Sequence, residues 1–331
     1  MNSPAMQIYG CTHSDVLTVL DRKSIPSEKW QVLRSLQQLD TRYNWMIAVF
    51  IALWFAAGWM VMNTDFFVLH LAGYFLMACC VNGLPIIMHD ATHSLLTKNR
   101  AVTRWLGFIC GLPGLVSYSA YRSIHLLHHG HTRTAEDPDD IEATSPRSVP
   151  LVLVYYVVLI VGIYIYIGTV AVVGFQKAHS QHRKDILVEY GLMVLIIAAV
   201  VWLVPFATVW HCWLIPLLLA GQLSNVRGLA EHGMTTGGNE FTDTRTVVSN
   251  PFVRFMMCNL NYHLEHHLFA GIPWYNLPKV HQLLQEEYRQ AGSSVYSSYS
   301  EFLKDFFRTT WQGVIPNVRL IPQHLRDEVC L

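Results

Sequence analysis

The segment FFVLHLAGYFLMACCVNGLPIIMHDATHSLL, residues 66–96, decides the fold class. Its first part, residues 66–88, is almost wholly apolar. At about 1.5 Å of rise per residue it is long enough, as a helix, to cross the hydrocarbon core of a membrane. The segment then ends with His89 and His93, and Asp90 stands beside the first of them. Ionisable side chains are costly next to an apolar span, so these residues indicate a function at its end.

The composition of the 331-residue chain is typical of a membrane protein, because 52% of the residues are hydrophobic and only 14% are charged. Lys plus Arg and Asp plus Glu balance at 23 each, so we expect no nucleic acid partner. The seven cysteines form no CxxC pair and lie mostly in apolar stretches, which argues against a disulfide framework. Charged residues precede the first long apolar stretch, and we therefore expect no cleavable signal peptide.

The apolar segments predict an all-α integral membrane protein with two transmembrane helical hairpins, that is, four spans. The first hairpin covers residues 45–88, with a short turn at residues 63–65. A basic stretch, residues 98–104, follows it and is expected on the cytoplasmic side by the positive-inside rule. His89 and His93 are therefore expected at the cytoplasmic end of the second span.

Three more apolar segments follow, at residues 151–175, 186–206 and 209–223. Three crossings would leave the later histidines on the wrong side of the membrane to meet the earlier ones. We expect 151–175 to be interfacial or re-entrant, because a basic linker follows it and a tight turn at 205–208 joins the other two into a second hairpin, residues 186–228. The alternative is that 209–223 lies flat while the other two segments cross.

We interpret residues 1–331 as a single membrane domain with a helical cap on the cytoplasmic side. In chain order its predicted parts are a cytoplasmic N-terminal segment (1–44), the first hairpin (45–88), a stretch with two histidine groups (89–148), a membrane-associated segment (151–175), the second hairpin (186–228) and the cap with the last histidine group (229–331).

Nine of the 17 histidines fall in four tight groups, within HDATH, HLLHH, AEHG and NYHLEHH. Residues i, i+3 and i+4 of a helix share a face, so each group can present its imidazoles in one direction. Imidazole binds iron, copper, zinc and nickel, and the number of rings exceeds what one ion takes, which implies two ions. Zinc sites close with four ligands, so the surplus favours two irons, with zinc as the alternative. The predicted ligands are His89, His93, His125, His128, His129, His232, His263, His266 and His267.

HDATH, HLLHH and NYHLEHH, in this order around two hydrophobic hairpins, resemble the three histidine boxes of the membrane fatty acid desaturase and hydroxylase superfamily. The resemblance covers roughly residues 45–285 and includes HTRTAEDPDD, RGLAEHG and GIPWYNLPKVH. It implies a non-haem di-iron centre, with His232 at the place of an extra ligand after the last span. In some relatives an asparagine one turn before that histidine binds iron through water. Gly228 stands there in this chain, so Asn225 and Asn261 are candidate substitutes.

Three carboxylates, Asp90, Glu231 and Glu265, each adjoin a predicted ligand, where a carboxylate can fix the tautomer of the imidazole. A solvated side chain is the alternative for each. His131, just past the second box, and His281 are further candidates for the surroundings of the site.

The acidic run EDPDD, residues 136–140, is interpreted as a loop near basic residues rather than a cation site. Three arginines, Arg133, Arg227 and Arg245, are candidates either to hold a substrate carboxylate or headgroup or to pair with those acids.

A di-iron centre with O2 as co-substrate can oxidise an unactivated C–H bond. Its expected place at the membrane boundary suits a fatty acyl or other lipid-like substrate, and the leading hypothesis is a fatty acyl desaturase. Hydroxylation, carotenoid ketolation and oxidative decarboxylation of a fatty acid to a terminal alkene would use the same ligands. A metal-handling transporter or sensor is the alternative outside the enzymes, although ionisable groups of a transporter are expected near the middle of the membrane.

The sequence contains no CxxCH, no GxGxxG and no flavin-like domain, so the electrons are expected from a separate protein. A ferredoxin, a rubredoxin or a cytochrome with its reductase would serve. The expected location is a bacterial inner membrane, with the active site on the cytoplasmic side. The substrate, the position oxidised and the oligomeric state do not follow from the sequence.

Overall fold

The computed structural model describes residues 22–140, 142, 145, 149–235 and 239–311. Residues 1–21 of the predicted N-terminal segment and 312–331 of the predicted cap lie outside the described residues. The described part is mostly helical, and its longer helices are α1 (Ser27–Leu36), α2 (Trp45–Met62), α3 (Phe67–Thr92), α4 (Arg100–Gly111), α5 (Tyr118–His131), α6 (Leu151–Lys177), α7 (Ser180–Leu203), α8 (Phe206–His232), α9 (Pro251–Met256), α10 (His263–Leu268), α11 (Leu277–Leu283), α12 (Gln285–Ala291) and α13 (Tyr299–Trp311).

Two short strands, β1 (Thr246–Val247) and β2 (Val295–Tyr296), pair in parallel and depart slightly from the expected all-α fold. β1 is completely buried. Buried backbone groups need hydrogen-bond partners, and an extended chain leading to the third histidine box finds them in another extended chain.

Five helices are long and apolar enough to cross a membrane, namely α2 with the turn of 3-10 helix before it, α3, α6, α7 and α8. Their exposed faces carry large apolar side chains, among them Phe55, Trp202 and Phe206. Such faces suit contact with lipid rather than water. The protein is therefore an integral membrane protein.

The first hairpin, α2 and α3, matches the predicted segments, and α3 continues to Thr92. Its two helices approach closely at glycines: a Cβ on Gly73 would lie 2.4 Å from a methyl group of Val61, and one on Gly83 would lie 2.6 Å from the ring of Phe50. Small residues of this kind allow membrane helices to pack without a hydrophobic driving force between them. The close packing fixes the end of α3, where His89 lies.

The second hairpin, α7 and α8, is longer than predicted at both ends. α7 begins at Ser180 and α8 runs without interruption to His232. The predicted boundaries lie where the apolar residues of the sequence end. The helical backbone hydrogen bonds continue beyond these points, because polar side chains there find partners on neighbouring elements. α8 includes one π-helical turn, Trp210–Leu214.

The long helix α6 contacts the histidine-bearing end of the bundle at both of its own ends. Near its start, the Tyr155 hydroxyl accepts from the Met234 backbone N–H at 3.3 Å, just after α8. Near its finish, a Cβ on Gly174 would lie 2.6 Å from the carbonyl oxygen of Ala120 in α5. Between them, Tyr166 donates to Asp139 at 2.9 Å.

The cap has its own apolar core, built from α1, α10, α11 and α12 around buried residues such as Leu33, Leu264 and Leu277. Arg245, only 2% exposed, joins this cap to the bundle. Its guanidinium donates to the carbonyls of Ala230 at 2.7 Å and Gly233 at 3.1 Å. These carbonyls are orphan acceptors at the end of α8, so Arg245 caps the helix that carries His232.

Candidate metal centre

Four parts of the chain bring all nine predicted histidine ligands together. α3 carries His89 and ends just before His93, α5 carries three, α8 ends at His232, and α10 carries three. Their imidazole nitrogens fall into groups in which the atoms lie within 4.8 Å of one another.

The first group contains five histidines. The Nε2 atoms of His93 and His125 are 2.9 Å apart, and those of His266 and His129 are 3.0 Å apart. Two nitrogens bound at right angles to one ion, each about 2.1 Å from it, lie about 3 Å apart. The spacing therefore fits ligands that share an ion, and the complete group is His89, His93, His125, His129 and His266.

The second group contains His128, His232 and His267. His263 belongs beside it, because its Nε2 lies 2.8 Å from Nε2 of His232. The carboxylate of Glu231 also approaches His232 and His263 closely enough to be counted with them as a potential ligand.

The chemistry of these rings suits metal ions. Both ring nitrogens of His89 and the Nε2 of His267 are buried without a hydrogen-bond partner among the described residues. Burial, together with neighbouring positive charge, lowers the pKa of His93 to about 4 and that of His129 to about 2. The rings of His93 and His129 are thus held neutral, as metal binding requires, and the donor set of the two groups fits two ions of the imidazole-binding kind.

Asp137 bonds to one predicted ligand, His128, and was not identified from the sequence as part of the site. Nδ1 of His128 donates to its two carboxylate oxygens, at 2.8 and 3.0 Å, which leaves Nε2 free for an ion. Such a bond fixes both the tautomer and the orientation of the ring. The available signal was the acidic run EDPDD directly after the second box, which we interpreted only as a loop near basic residues.

The three carboxylates proposed from sequence differ in their contacts. Asp90 accepts from the backbone N–H of Trp274 at 3.1 Å, and its other oxygen lies 3.5 Å from Nδ1 of His89. Glu231 lies 3.7 Å from Nδ1 of His263. Both therefore lie behind the rings of predicted ligands.

Glu265 bonds to residues outside the two histidine groups. It accepts from His281 at 2.6 Å and from the hydroxyl of Thr246. These contacts tie α10 to α11 and β1, so Glu265 and His281 position the helix of the third box rather than one ring.

Three other candidates have their polar groups elsewhere. Asn225 accepts from the backbone N–H of Ile163 at 2.6 Å and so joins α8 to α6. The amide nitrogen of Asn261 donates to the carbonyls of Val247 and Val248. His131 is exposed. The two asparagines therefore support the helices and strands around the histidine groups, and His131 lies outside these groups.

A buried carboxylate, Glu189 of α7, caps the helix of the second box. It accepts from the hydroxyl of Ser117 at 2.7 Å and from the backbone N–H and hydroxyl of Ser119 at 2.8 and 2.6 Å. Arg104 completes its surroundings at 2.9 Å. A carboxylate at a helix N-terminus satisfies orphan N–H groups and complements the helix dipole, so this polar clasp fixes α5 and its histidines. The partners of Glu189 are distant in sequence, so no local sequence pattern indicates this contact.

Comparisons with known proteins agree with this site. A model of the fatty acid desaturase family matches residues 64–299, a range that contains all nine histidines. The sphingolipid delta(4)-desaturase/C4-monooxygenase DES2 of Homo sapiens is 25% identical over 340 residues, covering 98% of this chain and 99% of that protein. The sphingolipid delta(4)-desaturase DES1 of Drosophila melanogaster is 25% identical over 304 residues, covering 90% of this chain and 91% of that protein. A sphingolipid delta(4)-desaturase of Schizosaccharomyces pombe is 23% identical over 279 residues (77% and 73%). The chain therefore belongs to the fatty acid desaturase family and is an oxidoreductase of the membrane.

Proposed function

We propose that the protein uses two iron ions and O2 to oxidise an unactivated C–H bond of a lipid, and that its main reaction is desaturation of a fatty acyl chain. The observation that carries the proposal is the convergence of nine histidines into two adjoining groups in a member of this family. Desaturation takes one hydrogen from each of two neighbouring carbons, and with O2, two electrons and two protons it leaves one C=C bond and two waters.

The five histidines of the first group would hold one iron, and His128, His232, His263 and His267 would hold the other. Bound iron would supply the O2-dependent oxidising power that side chains lack. The chain itself orients the ligands, through Asp137 at His128, and excludes water by burying the site.

We further propose that α2, α3, α7 and α8 are the four spans and that α6 lies at the interface. The contacts of both ends of α6 with the histidine-bearing end of the bundle support this arrangement. The continuous course of α8 from Phe206 to His232 argues against a flat segment at 209–223. With the basic stretch 98–104, the histidine groups and the cap are then cytosolic, and residues 1–331 form one domain.

Hydroxylation is the second candidate, because the human relative is named both a desaturase and a C4-monooxygenase. Both reactions begin by removing one hydrogen from carbon, and they differ in what is lost or added next. The compared relatives are eukaryotic and lend no support to a bacterial inner membrane in particular.

The electrons come, in this proposal, from a separate protein that docks on the cap. A ferredoxin, a rubredoxin or a cytochrome with its reductase would fill this role. The absence of CxxCH and GxGxxG motifs from the sequence supports an external donor.

Expression in a host that lacks the enzyme, followed by mass spectrometry of its lipids and volatile hydrocarbons, tests the proposal. We expect a new unsaturated or hydroxylated lipid with the wild-type chain and none with His266→Ala. His131→Ala, which removes an exposed histidine beside the second box, is the matched control and should retain the product. Purified protein should contain about two irons per chain. Unchanged lipids, or zinc in place of iron, would refute the proposal.

A further inference from the structure

The three arginines that the sequence offers as headgroup ligands have different surroundings. Arg133 is neutralised by two buried carboxylates at 2.7 and 2.8 Å, and Arg245 caps the end of α8 through its carbonyls. Arg227, on α8, has a loose ion pair as its one such contact in the described part of the chain: its Nε lies 3.4 Å from Oε2 of Glu231. Within the described residues that buried Nε makes no hydrogen bond.

Two more polar atoms near Arg227 are buried without a hydrogen-bond partner in the described part of the chain. One is Oε1 of Glu231, whose residue is 2% exposed, and the other is the hydroxyl of Tyr299 at the start of α13. Tyr299 lies close enough to Arg227 and Glu231 for electrostatic interaction with both. Buried polar atoms without partners are costly, and charged groups in a membrane helix are more so.

The surface of α8 is open at Gly228, the residue that follows Arg227. A Cβ placed on Gly228 has no atom within 4 Å outside its own stretch of helix. Gly228 shares a helical face with Glu231 and His232, since they follow it by three and four residues. We call the space at Gly228, with Arg227, Glu231 and Tyr299, the α8 recess.

The α8 recess directly adjoins the second histidine group. Glu231 lies 3.7 Å from Nδ1 of His263, and Gly228 is one turn before His232. Arg227 and His232 are five residues apart, which corresponds to about 7.5 Å along the helix. A group bound in the recess would therefore lie a few bonds from a carbon held at the metal centre.

We propose that the α8 recess binds an oxygen-bearing polar group of the lipid substrate, attached within a few bonds of the oxidised carbon. Arg227 and Tyr299 donate to its oxygen, and Glu231 accepts from a hydroxyl or an N–H. This inference rests on the proposed function and narrows its substrate class to lipids oxidised next to their polar end. An acyl chain oxidised far from its headgroup would bring only methylene groups to these atoms.

Two kinds of lipid share this chemistry. In an N-acylated sphingoid base, the fourth carbon is bonded to the carbon that bears a hydroxyl and lies two bonds from the carbon that bears the amide. In a free fatty acid oxidised close to its carboxyl group, Arg227 would meet the carboxylate. The names of the relatives, which place their reaction at the delta(4) position of a sphingolipid, agree with the first kind.

Equilibrium binding to the iron-loaded protein in lipid nanodiscs provides the first test. The probes are N-acyl sphinganine, a free fatty acid and an alkane of equal chain length. We expect at least one polar lipid to bind more tightly than the alkane, and Arg227→Met to weaken that binding about 10- to 100-fold. The polar lipid that loses affinity identifies the source of the headgroup. Equal affinity in the wild type and Arg227→Met would overturn the inference.

Two further variants separate binding from folding and from simple charge pairing. Gly228→Leu fills the recess with a better helix former, so the protein should fold and keep its iron while losing the polar lipid. If Arg227 served only to neutralise Glu231, Arg227→Met would have no effect in a Glu231→Gln background, whereas we expect it still to weaken binding. Arg122→Met is the matched control, because Arg122 already donates to the carbonyl of Thr92 at 3.2 Å.

The position of oxidation distinguishes this inference from the proposed function. We expect the new double bond or hydroxyl within a few bonds of the polar group. A product oxidised in the middle of the chain would refute the recess and leave the oxidase intact. If the chain oxidised no lipid, the proposed function would fail, and the binding measurements would still decide whether the recess holds a polar headgroup.

Discussion

The two histidine groups differ in what holds their rings in place. In the first, five histidines pack against one another, and the carboxylate of Asp90 lies 3.5 Å from His89 while also accepting from a backbone N–H. In the second, fewer rings are supported more directly, with Asp137 bonded to His128 at 2.8 Å. The first group therefore depends on the number and packing of its ligands, and the second on hydrogen bonds from outside.

The largest expected effect is the loss of a ligand from the first group. His266→Ala removes a ring that is 0% exposed and packs against His89, His93 and His129. We expect no detectable lipid product and about one iron per chain or fewer. Iron analysis and lipid mass spectrometry measure both. Wild-type iron and product in this variant would show that the first group is not a metal site.

The second-largest effect is expected at Asp137, which bonds to His128 of the second group. Asp137→Asn weakens the bond that orients His128, and loss of such a partner typically lowers metal affinity or activity about 10- to 100-fold. Asp90→Asn is the matching variant in the first group. It should lower iron affinity less, since the contact of Asp90 with His89 is longer. Titration of each variant with iron would measure the two losses. A greater loss in Asp90→Asn would reverse the proposed difference between the groups.

Glu189→Gln should affect both groups equally, because α5 supplies ligands to each. The variant removes the charge that accepts from Ser117, Ser119 and Arg104. Hydrogen bonds to a charged group contribute about 1.5–3 kcal/mol, so we expect a lower thermal unfolding midpoint and parallel loss of both irons. Asp185→Asn, which touches the same Arg104 at the more exposed end, is a milder control. Loss of one iron alone would contradict this role of the clasp.

The smallest effect is expected at His131. Its exposed ring lies one residue beyond Gly130, outside both groups. His131→Ala should change the free energy of unfolding by no more than about 0.5 kcal/mol and leave iron content and product unchanged. A clear loss of iron would add a tenth ligand to the site.

The long apolar helices and the convergence of the nine histidines were predictable because their signals are local. An apolar run long enough to cross a membrane and imidazoles at helical spacing are each contained in one short segment. The same locality explains the errors in helix ends. α7 begins at Ser180, six residues before the predicted segment, and a polar residue of this first part, Asp185, accepts from the distant Arg104 at 2.6 Å.

The supporting contacts were not predictable, because each joins residues distant in sequence. Glu189 bonds to a helix that begins some 70 residues earlier. Arg245 caps the end of α8 at Ala230, which is 15 residues away in sequence. Glu265 directly precedes His266 in sequence but bonds to His281 and Thr246 instead. Adjacency in sequence identified which carboxylates lie near the site, and it left open which ring each one holds.

Two short helices each contribute to both histidine groups. On α5, His125 and His129 belong to the first group and His128 to the second; on α10, His266 belongs to the first and His267 to the second. Neighbouring residues on a helix are separated by about 1.5 Å of rise and a fixed rotation. The distance between two ions bound by these residues would therefore be set by the helical backbone and not by the conformation of a loop. Changes in bilayer thickness or in the lipid-facing helices should therefore alter how a lipid enters while leaving the spacing of the two histidine groups unchanged.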